Sequence, residues 1–234
     1  MEIPTNKTPT NTKLGNQVIA VYGQAKIGKS TFASQFPNAL FAATEPGLNF
    51  LEVYQVTINT WGDFRDLCNA LAKDPKHVET LVIDTVDLLY AHCEAHVCAE
   101  NKVTHPSQGN HGLVWSKLKT EFNRVLTKLT MLRTASGEPM GLVMISHDRV
   151  VEEDTRTGVK RYSAPDLSNS PRTIVEAKAD LLLFADTEQD GSRVFRTTPN
   201  DKWRGGDRSG FLSETMPLNY NAIVEAFGKG ESNE

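Results

Sequence analysis

Gly23-Gln24-Ala25-Lys26-Ile27-Gly28-Lys29-Ser30 completes the pattern G-x-x-x-x-G-K-[ST], and its flanks decide the fold. Upstream, Gln17-Val18-Ile19-Ala20-Val21-Tyr22 is an unbroken apolar run rich in β-branched residues, the signature of a buried parallel strand. Downstream, Ser30 to Phe36 can continue as a short helix that Pro37 stops. Strand, glycine loop and helix in that order aim the free N–H groups of Gly23, Gln24, Ala25, Lys26, Ile27, Gly28, Lys29, Ser30 and Thr31 at one spot, where a phosphate chain belongs. Lys29 can then reach the β- and γ-phosphates of a nucleotide, and the Ser30 hydroxyl can serve Mg²⁺.

The remaining strands read as further walls of that site. Ala39 to Ala43 ends abruptly in Thr44-Glu45-Pro46-Gly47, which puts Glu45 at a strand's C-terminal edge. In a parallel α/β sheet that edge binds ligands, so Glu45 is either a site carboxylate or a solvated turn residue. Thr80-Leu81-Val82-Ile83-Asp84 is a hydrophobic strand ending in aspartate, 55 residues after Lys29, and Asp84 is the second Mg²⁺ candidate. Asp87 is the nearby alternative, although it should already have left the strand. Gly141 to Ile145 delivers Ser146-His147-Asp148 to another strand end, where His147 can hydrogen-bond a γ-phosphate or the attacking water. Trp61 to Lys73, Leu88 to Ala99 and Leu113 to Arg133 carry apolar residues at helical spacing and read as the sheet-covering helices.

After His147, the chain alternates weakly around Thr157-Gly158 as a hairpin, and Ser163 to Arg172 holds two prolines that argue against regular helix. Lys160, Arg161, Tyr162 and Arg172 offer charge plus a stacking ring, the ingredients of single-strand contact, although Glu152, Glu153 and Asp154 lie close by and fit ordinary solvated surface. Leu181 to Ala185 and Arg193 to Thr197 form two more strands, followed by an arginine- and glycine-rich loop containing Arg204 and Arg208. His92, Cys93, His96, Cys98, His105 and His111 crowd together, but their spacing matches no usual zinc pattern and most fit a helix; a metal shared by His92 and His96 is the alternative.

At 234 residues, 39% hydrophobic and 23% charged, the chain suits one α/β domain over residues 14–227, with a flexible arm at 1–13 and a flexible tail at 228–234. A net charge of −4 excludes a uniformly basic nucleic-acid coat, so contact with nucleic acid needs a local patch. No apolar stretch reaches the ~20 residues of a membrane span, and an odd count of three cysteines fits a reducing compartment; a cytoplasmic location is expected.

In motif order the chain resembles the RecA-like phage ATPases associated with single-strand annealing and recombination. The resemblance rests on residues 23–30, Ala-Thr-Glu-Pro-Gly-Leu at 43–48, Val-Ile-Asp-Thr at 82–85, Ile-Ser-His at 145–147 and Asp-Arg-Ser-Gly at 207–210. It implies a RecA-like α/β fold with a mostly parallel central sheet flanked by helices and C-terminal antiparallel strands. It further implies that Glu45 polarises the attacking water, His147 senses the γ-phosphate and Arg208 reaches the ATP of an adjacent subunit in a homo-oligomeric ring or filament. Slow or DNA-stimulated hydrolysis of Mg-ATP on single-stranded DNA is the activity that follows. A nucleotide-switched DNA-binding protein with negligible turnover and a small-molecule kinase are the alternatives; against a kinase, no arginine-rich lid is evident.

Overall fold

The computed structural model describes residues 3, 5–7, 10–156 and 158–231. Thr157, residues 1, 2, 4, 8 and 9 of the arm expected at 1–13, and residues 232–234 of the tail expected at 228–234 lie outside them. In chain order the elements are β1 (Val18–Gly23), α1 (Lys29–Ala33), β2 (Ala39–Ala43), β3 (Tyr54–Thr57), α2 (Trp61–Lys73), β4 (Thr80–Asp84) and α3 (Val86–Glu100). They continue with α4 (Leu113–Leu129), β5 (Gly141–Ser146), β6 (Asp148–Thr155), β7 (Gly158–Pro165), α5 (Asn169–Lys178), β8 (Leu181–Thr187), β9 (Arg193–Arg196), β10 (Gly206–Asp207), β11 (Thr215–Pro217) and α6 (Tyr220–Glu231).

The main sheet runs β11-β9-β8-β1-β5-β4-β2-β3, with β10 pairing separately on β8. From β8 through β3 every pairing is parallel, and β9, β10 and β11 add antiparallel strands at one end. This is the P-loop NTPase architecture. The parallel strands β1, β4 and β5 are buried along their length because both sheet faces are covered, which is why they read as continuous apolar runs.

On one face, Phe64 and Leu71 of α2, Leu89 and Val97 of α3, and Leu118, Phe122, Val125 and Leu129 of α4 close a single apolar cluster with Leu81, Ile83, Leu142 and Met144. On the other, Phe32, Phe36, Ile223 and Phe227 pack on Ile19, Val21, Val82, Val143 and Phe195. The α2 start is fixed by a capping box: the Thr60 side chain accepts from Asp63 N, and Asp63 accepts from Thr60 N.

Two expectations about elements change. Pro171 does not exclude helix, since it occupies the first turn of α5, where its missing N–H would have no intrahelical acceptor. Helix α6 continues through Glu231, past the domain end expected at 227. The β6–β7 hairpin forms as a separate two-stranded sheet from Asp148↔Pro165 to Thr155↔Gly158.

Candidate active site

Register brings the scattered motifs to one edge. Ala43 pairs with Asp84, Asp84 with Ile145, Ser146 with Tyr22 and Gly23 with Ala185, so the last residues of β2, β4, β5 and β1 stand side by side. Glu45 and His147 each follow their strand by two residues or fewer and therefore share that edge with the loop.

The loop itself depends on glycine twice. Gly23 has φ +152°, and a Cβ there would stand 2.5 Å from the Ala185 carbonyl oxygen; Gly28 has φ +113°. Lys29 is buried, and its Nζ donates to the carbonyls of Gly23 at 2.6 Å and Gln24 at 2.8 Å. Burial pushes its pKa down, partly offset by Asp84 and neighbouring carboxylates. The ammonium is thus held over the loop by two backbone carbonyls.

Ser30 Oγ donates to Asp84 Oδ2 at 2.7 Å, joining the loop to the end of β4. Burial raises the Asp84 pKa, the Ser30 hydrogen bond opposes that, and Glu45 adds to it. A hydroxyl and a buried, strained-to-ionise carboxylate are hard oxygen donors of the kind Mg²⁺ takes, so the residues present fit that ion.

Glu45 is fastened beside Asp84 by its predecessor. Thr44 N donates to Asp84 O at 2.8 Å, Thr85 N donates to Thr44 Oγ1 at 2.7 Å, and Thr44 Oγ1 donates to Thr85 O at 3.1 Å. His147 then lies between two carboxylates. Asp87 accepts from His147 N through Oδ1 at 3.2 Å and from Nδ1 through Oδ2 at 2.9 Å, while Nε2 stands 3.6 Å from Glu45 Oε1. An ionised carboxylate can only accept, so Asp87 fixes the proton on Nδ1 and turns Nε2 toward Glu45. Burial alone would lower the His147 pKa; the Asp87 hydrogen bond and charge, with Glu45, outweigh it and raise it.

Ser30 thus bonds Asp84, whereas Asp87, in the first turn of α3, bonds His147 and orients its ring. The signal available for it was an aspartate three residues past the strand end, on the helix face that turns back toward β5.

Residues 15–209 match the family described as an AAA domain. The chain belongs to that family. An AAA domain with this loop is a P-loop ATPase, which implies nucleotide binding, usually with Mg²⁺. The AAA domain here is also similar to the SPbeta prophage-derived uncharacterized protein YorG of Bacillus subtilis (strain 168), at 28% identity over 168 residues. That alignment covers 67% of this chain and 49% of the relative, so the chain spans about half the length of the protein it matches.

Other sequence candidates lie elsewhere in the AAA domain. Arg208 sits just past β10, whose partner residues Leu181 and Leu182 open β8, at the sheet edge opposite the loop. There its Nη1 is 3.3 Å from Asp180 Oδ1 and its Nη2 donates to Ala177 O at 2.7 Å, so it takes no part in this chain's own site. Tyr162 is not a free stacking ring: it faces inward on β7 at 4% exposure, and its hydroxyl accepts from Arg204 Nη2 at 3.2 Å. Arg172 is likewise buried on α5, bonded to Asn169 Oδ1 and 3.9 Å from Glu176. Lys160 and Arg161 remain on the surface but pair with Asp201 at 2.7 Å and Glu152 at 2.8 Å.

The histidine and cysteine cluster disperses. Cys93 and Cys98 are buried in the core, His96 pairs with Glu100 at 3.4 Å, and His105 Nδ1 bonds Ser107. Among the described residues no group of three or more His, Cys, Asp or Glu could hold a metal ion. Nor is any helix among them long and apolar enough to cross a membrane.

Proposed function

We propose that this AAA domain hydrolyses Mg-ATP at the edge formed by β1, β2, β4 and β5, with Glu45 as the residue that orients and polarises the attacking water. The observation that carries the reading is the convergence of Ser30–Asp84 and Glu45–His147–Asp87 beside a glycine loop closed over by Lys29. Lys29 and the loop amides bind the phosphates, and Ser30 with Asp84 would hold the ion. Bound there, Mg²⁺ would supply charge neutralisation for the phosphate chain. His147, with its Nδ1 proton fixed by Asp87, presents Nε2 to the site: as imidazolium it would donate to the γ-phosphate, and as neutral imidazole it would accept from the water held by Glu45. Chemistry of this kind rests on positioning and electrostatics more than on covalent steps.

The biological reading is recombination or single-strand annealing of phage type, on single-stranded DNA and as a homo-oligomer. It is supported by the order of the motifs, by the prophage origin named for the relative, and by the β6–β7 hairpin that begins at Asp148, the residue after His147. Arg161, its side chain 70% exposed, and Lys160 would make the DNA contacts. A ring or filament would also be required for Arg208 to act on a neighbour's nucleotide, after giving up Asp180. Phosphate release measured with and without single-stranded oligonucleotides tests the whole reading. Slow release accelerated by DNA supports it; binding of ATP without any release, with or without DNA, overturns hydrolysis in favour of a nucleotide switch.

A further inference from the structure

Arg193 opens β9 and pairs with Thr187 at the end of β8. Because β8 runs parallel to β1 with Ala185 beside Gly23, Thr187 and Arg193 lie beyond the strand ends, at the level of the phosphate loop. The guanidinium leans onto that loop: Arg193 Nη1 comes within 3.5 Å of the point where a Cβ on Gly28 would stand, and Leu218 Cδ2 comes equally close. Leu218 N donates to Arg193 O at 3.0 Å, next to the Pro217↔Val194 pair of β11 and β9, so backbone bonding holds the two side chains together.

The Arg193 side chain is exposed, and among the described residues no hydrogen bond or ion pair engages it. Its strand neighbour Arg196 shows the contrast, held by Asp186 at 3.1 Å and Glu188 at 2.9 Å. An arginine set against a phosphate-binding loop without a carboxylate of its own has the chemistry of a phosphate contact: a planar, always charged donor fork that matches two phosphate oxygens. A triphosphate also carries more negative charge than Lys29 and one divalent ion neutralise.

We propose that Arg193 binds the phosphate chain of the nucleotide in cis, from the antiparallel end of the sheet, with Leu218 forming the apolar wall beside it. This rests on the nucleotide reading of the loop. The test is calorimetric titration of MgATP and MgADP into the full chain and into Arg193→Ala, Arg193→Gln and Arg193→Lys, with thermal melting of each unliganded protein. The expected result is affinity for MgATP weakened about tenfold or more in the Ala and Gln variants, partial retention in Lys, and unliganded melting unchanged because the side chain has no partner to lose. Wild-type affinity for both nucleotides in whichever of the Ala and Gln variants melts normally overturns the role of Arg193. Failure of the wild-type chain to bind either nucleotide overturns instead the reading of the loop itself.

Discussion

The phosphate-loop edge and the β6–β7 hairpin are both rich in charge, and they manage it in opposite ways. At the edge, Lys29 and Asp84 are each 6% exposed, and the groups that face them come from four strands far apart in sequence. Burying charge is costly, so such an arrangement persists only where backbone register and hydrogen bonds fix every member. On the hairpin, residues 148–165 hold four basic and four acidic side chains, and Arg161 pairs with Glu152 across the strands while Arg149 pairs with Asp166. Those pairs are in water and individually weak. One region stores preorganised charge; the other neutralises itself.

The contrast is broken most decisively at Lys29. Replacing it with alanine removes two charge-assisted hydrogen bonds, one buried and one partly buried, and should weaken MgATP binding by about 100-fold or more, read by calorimetry. Near-normal affinity would mean the edge is not the nucleotide site. Glu45→Gln should leave affinity for MgATP within a few-fold while single-turnover hydrolysis falls by roughly 10²–10⁴, the range for a lost general base. Retained turnover would remove Glu45 from the chemistry.

Asp87→Asn sharpens the comparison further, since it leaves the loop residues in place and acts first on the histidine, with a lesser electrostatic effect on Lys29. Hydrolysis should fall about tenfold with MgADP affinity unchanged, on the scale of a lost charge-assisted hydrogen bond. On the hairpin, Lys160→Ala and Arg161→Ala should each change stability by no more than about 0.5 kcal/mol in denaturant melts. If these residues bind single-stranded DNA, the salt dependence lost with each should correspond to about one phosphate contact.

The smallest effect is in pH. His147 in the folded chain is raised above its ordinary value of about 6.5, which NMR titration of the ring should show, and Asp87→Asn should bring it down. Because the folded value exceeds the unfolded one, the stability this histidine contributes is fully present below about pH 6.5 and is lost as pH rises through the folded value. Its side chain is 32% exposed, so screening keeps the shift in melting temperature small.

Residues close in sequence were the readable ones. The glycine loop spans eight positions, and β1, β4 and β5 announce themselves as apolar runs because they are buried on both faces. Asp87, Tyr162, Arg172 and Arg193 show where that reading stops. Spacing from the strand end made Asp87 look displaced, yet its position in the first turn of α3 is what turns it toward His147. Tyr162 alternates inward because β7 has one buried face, and only the pairing with β6 and the contact with Arg204 reveal which.

By itself the sequence determined the parallel α/β core, the phosphate loop and the strand-end identities of Glu45, Asp84 and His147, since local periodicity and short-range turn chemistry dictate them. Only tertiary structure decided which charges meet. Sheet order placed β5 between β1 and β4, antiparallel strands carried Arg193 up to Gly28 and Arg208 down to Asp180, and hydrogen bonding fixed His147 between two carboxylates. Contacts of that range depend on register and crossover, which no window of sequence contains.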